Sequence, residues 1–213
     1  MLISDSPRKL RVILMQETNL FINAYLSMQP SFAKFLPVAL MIGASAGLVV
    51  YLSATLSSSY PWAGAVWLIF ISWALYFMAG AKASRMHKYA LGLTGGIVAG
   101  WLTLAALSYV SSVVGSTWGL PVTVFFIATA IVLLELTDWF ELAPAYFFSY
   151  AAYFAFVFGG FGGDVSNGTQ AISVWAMLMA GLVVGWLTST IRTAIFNVEQ
   201  VPLEHRGTVF DRE

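Results

Sequence analysis

Four stretches of this sequence, 35–81, 89–134, 142–163 and 165–191, contain no Asp, Glu, Lys or Arg. A helix needs about 20 mostly apolar residues to cross roughly 30 Å of hydrocarbon, so the first two stretches can each hold two spans and the others one. Turn-forming residues divide the long stretches: "SSSYP" at 57–61 and "SSVVGSTWG" at 111–119. The expectation is an all-α polytopic membrane protein with six transmembrane helices, at about 35–56, 62–80, 89–110, 119–136, 140–158 and 170–193.

The rest of the composition excludes whole classes of function. Only 9% of the 213 residues are charged, against about a quarter in a soluble domain. Basic and acidic residues number ten each and fall in short clusters, so there is no electrostatic footprint for nucleic acid. Cysteine is absent, and His87 and His205 both lie in charged segments, which leaves no expected metal site and no cofactor within the membrane. No histidine inside the spans stands ready to activate a serine, and no carboxylate pair offers acid and base roles. The expectation is a protein that is not an enzyme. No cleavable signal peptide is read at the N-terminus.

Basic residues cluster before the first span (Arg8, Lys9, Arg11, Lys34), between the second and third (Lys82, Arg85, Lys88), and after the sixth (Arg192, Arg206). The positive-inside rule then places both termini in the cytoplasm. Residues 1–34 are read as a cytoplasmic or interfacial segment, with a partner-binding arm as the alternative, and 196–213 as a cytoplasmic tail.

The chain repeats itself. "GIVAGWLT" at 96–103 recurs as "GLVVGWLT" at 181–188, "FISWALYF" at 70–77 resembles "FFSYAAYF" at 147–154, and "LPV" at 36–38 returns at 120–122. The matches fall in all three helices of each set, in the same order. This divides the chain into repeats at 35–114 and 115–195. Three spans per unit is odd, so the second copy enters from the opposite side and the halves are expected to be inverted. Inversion puts Tyr76 and Phe77 toward one face of the membrane and Tyr153 and Phe154 toward the other. Ser72, Ser149, Trp101, Thr103, Trp186 and Thr188 lie nearer the middle.

These ten residues are the candidate substrate pathway: small polar groups at the centre with an aromatic constriction on either side. A packing reading stands beside it. Aromatic residues near helix ends form interfacial belts, and Gly96, Gly100, Gly181 and Gly185 have the small-xxx-small spacing of close helix contact. Trp101 and Trp186 either line a route or fill space between helices. Thr103 and Thr188 can back-bond to their own helices.

Two loops have alternative readings. "ELTDWFE" at 135–141 holds three carboxylates and is either a solvated turn or a cation-attracting vestibule. "GGFGGDVSNG" at 159–168 lacks the nucleotide-binding patterns and is read as an external connection. The "NGT" within it is a formal glycosylation acceptor and weak evidence of anything.

With "SWALYFMAGA" at 72–81 and "APAYFFSYAAYFA" at 143–155, each followed by a glycine-bearing helix, the chain resembles the YcdZ-like inner-membrane proteins gathered as domain-of-unknown-function family 1097. The resemblance covers about 35–193. It implies a bacterial cytoplasmic-membrane protein and supplies no substrate and no functional residues. The N-terminal extension and the longer loop after Val157 depart from the compact family pattern.

Inverted repeats of small-residue-rich helices are typical of channels and secondary transporters. The functional expectation is a channel or facilitator for a small neutral or weakly charged solute, since no mid-membrane acid or histidine offers a proton relay. The alternative is a non-transporting accessory or assembly subunit of a larger membrane complex. Expected partners are the lipid bilayer, the solute, and either further copies of the chain or the other subunits of such a complex.

Overall fold

In lipid every backbone polar group must be satisfied within the protein, so charge-free segments of this kind have to form helices or a closed barrel. The computed structural model describes residues 15–16 and 32–196, and these are all-helical, with no strand among the described residues. The chain divides into two compact units, Met1–Leu40 and Met41–Glu213. In the first, Met15, Gln16 and 32–40 are helical. The remainder of the expected interfacial segment 1–34, and the expected tail beyond 196, lie outside the described residues.

The helices are α1 (Phe32–Leu56), α2 (Trp67–Met78), α3 (Met86–Val114), α4 (Ser116–Leu134), α5 (Ala143–Phe158) and α6 (Asn167–Phe196), with 3₁₀ turns at Pro61–Gly64 and Ala83–Arg85. Six helices occur where six were expected, but their lengths require a correction. Four are long and apolar enough to cross a membrane by length and composition: α1, α3, α4 and α6. α2 has 12 residues and α5 has 16, about 18 and 24 Å at 1.5 Å per residue.

The shortening has local causes. Pro61 opens a 3₁₀ turn that occupies the chain before α2. α2 then stops at Gly80, whose φ of 91° only glycine adopts without cost, while the Ala81 amide turns back to the Tyr76 carbonyl at 2.9 Å. α5 ends in the same way, at Gly160 (φ 71°) with Phe161 N–H on the Phe156 carbonyl. Both closures satisfy the last carbonyls of the helix. The short helices are also the most enclosed: Leu68, Ser72, Leu75 and Tyr76 on α2, and Ala145, Ser149, Tyr153 and Phe156 on α5, are buried. Apolarity in sequence does not distinguish a helix facing lipid from one embedded among other helices.

Packing crosses the boundary between the sequence repeats. α2 lies along α6, and α3 lies along α5, with α3 and α6 also in contact. Gly115, the single residue between α3 and α4, marks the expected division at 114/115. The glycines set the approach. A Cβ on Gly96 would collide with Ser149 Oγ and the Tyr146 carbonyl, and one on Gly181 with Ser72 Oγ and the Ile69 carbonyl. Gly43 and Gly47 on α1 have nothing within 4 Å of the corresponding point. Gly96→Ala and Gly181→Ala are each expected to destabilise the protein by about 1–3 kcal/mol through overpacking, with Gly43→Ala and Gly47→Ala neutral. Unfolding by SDS titration from mild detergent measures this; equal stability in all four variants would contradict it.

Candidate functional site

The ten pathway residues fall into three groups. Ser72, Tyr76, Thr103, Ser149, Tyr153 and Thr188 are buried; Phe77 and Phe154 are half-buried; Trp101 and Trp186 are exposed.

The buried group forms contacts that repeat with the sequence. Ser72 Oγ donates to the Leu68 and Ile69 carbonyls of its own helix, and Ser149 Oγ donates to those of Ala145 and Tyr146. Each serine abuts the glycine of the facing helix, Gly181 and Gly96 respectively. Tyr76 lies against Gly185, and Tyr153 against Gly100. Both phenol groups donate to backbone carbonyls, Tyr76 to Ala81 in the loop after α2 at 3.1 Å and Tyr153 to Asn167 at the start of α6 at 3.0 Å.

The threonines extend the pattern. Thr103 Oγ1 donates to Ala99 O at 2.9 Å on its own helix and lies 2.9 Å from the Tyr150 hydroxyl. With its proton so committed, Thr103 accepts from Tyr150. Thr188 Oγ1 donates to Val184 O at 2.8 Å and accepts from Trp73 Nε1–H at 3.1 Å. Trp73 and Tyr150 occupy matched places in the repeat, each directly after the matched serine. A third threonine works alike: Thr94 donates to Ala90 O and accepts from Trp175 Nε1–H at 3.0 Å, joining α3 to α6.

The helix pairs α2–α6 and α3–α5 are therefore in close contact at these positions. Two open, apolar hollows are found, one along α4 and the other where α3 of the first repeat meets α6 of the second. One of about 390 Å³ runs along α4 beside Phe125, Ala128 and Val132. The other, about 200 Å³, is bordered by Ile97, Val98, Trp101, Gly168 and Ala171. The small polar groups expected along a central route thus make packing contacts within a single chain, back-bonded as membrane hydroxyls commonly are.

The tryptophans of the repeated motif behave differently. Trp101 is 41% and Trp186 40% exposed, and their neighbours on the same helix face match as well: Val98 and Leu102, Val183 and Leu187 are exposed. Neither Trp101 nor Trp186 has a hydrogen-bond partner for its indole N–H among the described residues. The glycines of the motif look inward and its tryptophans outward.

The carboxylate loop is exposed from Glu135 to Glu141. Glu141 pairs with Lys88 at 2.7 Å, and Trp139 meets His87 edge-on at 5.5 Å. The Lys88 hydrogen bond, then its charge, with Arg85 assisting, hold the Glu141 carboxyl below its ordinary range. In the glycine loop, Phe161 packs edge-on against Trp67 at 5.8 Å. No cluster of potential metal ligands occurs among the described residues.

The sequence pattern of a family described as a protein of unknown function (DUF1097) matches residues 39–192. The chain belongs to this family. No curated protein and no solved structure matches it. The family pattern covers α2 to α5 and most of α1 and α6, including every matched contact described above.

Tyr150→Phe and Trp73→Phe each remove one donor to a threonine and are expected to cost about 0.6 kcal/mol, up to about 1.7, as for other hydrogen bonds between membrane helices. The double variant should show the sum, since the two bonds are separate. Detergent unfolding of the variants checks this; no loss in either single variant would contradict it. For Glu141 the folded value is depressed, so its contribution to stability is present above the unfolded carboxyl pKa and is lost as pH falls through the folded one. Carboxyl titration by NMR is expected to place Glu141 below the ordinary Glu value of about 4.3, with Lys88→Met returning it there.

Proposed function

We propose that the chain is a subunit of an oligomeric facilitator in the bacterial cytoplasmic membrane, passing a small neutral or weakly charged solute. In this reading two inverted three-helix units cross the membrane six times with both termini in the cytoplasm, and the route runs between chains. The observation that carries it is the outward pairing of Trp101 and Trp186. Both stand within long membrane-type helices, ten or more residues from either helix end, and both present an unpartnered N–H donor. A donor left unpaired against lipid tails is costly, whereas against a neighbouring chain it can meet a polar solute.

Support for the inverted arrangement comes from the matched contacts. Each second helix meets the third helix of the other unit through a Ser–Gly step, a Tyr–Gly step and an aromatic–Thr hydrogen bond. Support for selection by shape and hydrogen bonding comes from the charge-free spans.

A second reading, a non-transporting accessory subunit, is favoured by the outer surface of α4, where Trp118, Phe125 and Phe126 are about two-thirds exposed. Flux separates the two. Purified chain in proteoliposomes is expected to speed entry of glycerol or urea in stopped-flow light scattering, and Trp101→Ala with Trp186→Ala is expected to change that rate while leaving detergent stability unchanged. Entry no faster than in protein-free vesicles, with correctly folded chain present, would overturn the facilitator and leave the accessory role.

A further inference from the structure

α4 packs along α3, with Leu120, Val122, Val124, Ile127 and Ala128 half-buried. Its buried residues are Gly119, Thr123 and Ile131, and the half-buried Ile127 completes a spacing of four that stays on one helix face. The fit is tight at the Gly115 end, where Gly119 abuts Ser111 with no room for a Cβ. Gly115 itself, at φ 89° and ψ 156°, is the only residue between α3 and α4.

The other end of α4 is held differently. The backbone hydrogen bonds of 135–142 are local, reaching back only to Val132, Leu133, Leu134 and Thr137. Besides Leu142, whose carbonyl lies against Gly92 and whose side chain packs on the core, the strap meets α3 through two side-chain contacts from successive residues, Lys88 on Glu141 and His87 on Trp139. Lys88–Glu141 is the only ion pair among the described residues.

Ile131, with Ile127, packs in one cluster with Ala99, Tyr146 and Tyr150. Tyr146 is 2% exposed, yet its hydroxyl has no hydrogen-bond partner. An unsatisfied buried hydroxyl costs the closed arrangement free energy that an opened one recovers. Tyr150 and Thr103 lie in or beside the same cluster and already form a hydrogen-bonded pair.

We propose that α4 is a lid, hinged at Gly115 and clasped at its far end by Lys88–Glu141 and His87–Trp139, whose opening uncovers the Tyr146 and Tyr150 hydroxyls to a small polar molecule. The lid depends on contacts within one chain and stands whether or not the chain conducts.

Because the sequence contains no cysteine, a single Ala99→Cys in the full chain reports on the space beneath α4 through its rate of reaction with N-ethylmaleimide in proteoliposomes. Ala152→Cys, buried on α5 away from α4, serves as the reference. Glu141→Gln, and separately Trp139→Ala, are expected to raise the Ala99→Cys rate about two- to fivefold, the scale of one exposed ion pair, with the Ala152→Cys rate unchanged. Exchanging the charges, Lys88→Glu with Glu141→Lys, is expected to restore the parent rate. An unchanged Ala99→Cys rate, a parallel rise at Ala152→Cys, or failure of the exchanged pair to restore it would each overturn the lid.

Discussion

Helices inside a bilayer gain little from leaving lipid for one another, because lipid tails are as apolar as leucine; association rests on close fit and on hydrogen bonds between helices. In this protein the fit is a glycine laid against a serine, and the arrangement of the described helices depends on it. Ser72 and Ser149 are small enough to let the backbones close, and their hydroxyls are absorbed by carbonyls one turn back. Gly181 and Gly96 supply the empty side of each contact. Adding a methyl group to either glycine would part α2 from α6 or α3 from α5.

About two turns further along α3 and α6, the same helix pairs are fixed in register by a hydroxyl that both gives and receives. A threonine side chain has one proton and two lone pairs. Thr103 and Thr188 spend the proton on their own helix and offer a lone pair to Tyr150 and Trp73. The aromatic side chains gain a partner for a polar tip that would otherwise be stranded in hydrocarbon. These contacts lock the halves through uncharged side chains, while the Lys88–Glu141 contact sits at the ends of helices where water can reach it.

Much of this was legible in the amino-acid order. The charge-free stretches predicted helices, and the order of the repeated motifs singled out the pairs that turn out to make matched contacts. The aromatic residue after each matched serine, Trp73 and Tyr150, was visible in that comparison but carried no signal of its role, since its threonine partner lies 115 or 47 residues away. Helix length was not legible either: α2 and α5 are as apolar as spanning helices, and only Pro61 and Gly80 hint that α2 is cut short. The direction faced by each residue of the Gly-Trp motif was hidden for a related reason. Four positions of a helix point to every side, and hydropathy alone cannot separate an inward Gly100 from an outward Trp101.

The central claim is that the two units lie head-down against head-up. Loops that match in the repeat must then face opposite sides of the membrane: the α1–α2 loop opposite the α4–α5 loop, and the α2–α3 loop opposite the α5–α6 loop. All four contain an exposed residue suited to a single introduced cysteine: Ser58, Asp138, Ser84 and Asp164. Labelling with a membrane-impermeant maleimide in intact cells and in inverted vesicles tests the claim most directly. The inverted arrangement predicts labelling of Ser58→Cys and Asp164→Cys from the outside only, and of Ser84→Cys and Asp138→Cys from the inside only. Labelling of Ser58→Cys and Asp138→Cys from the same side would contradict it.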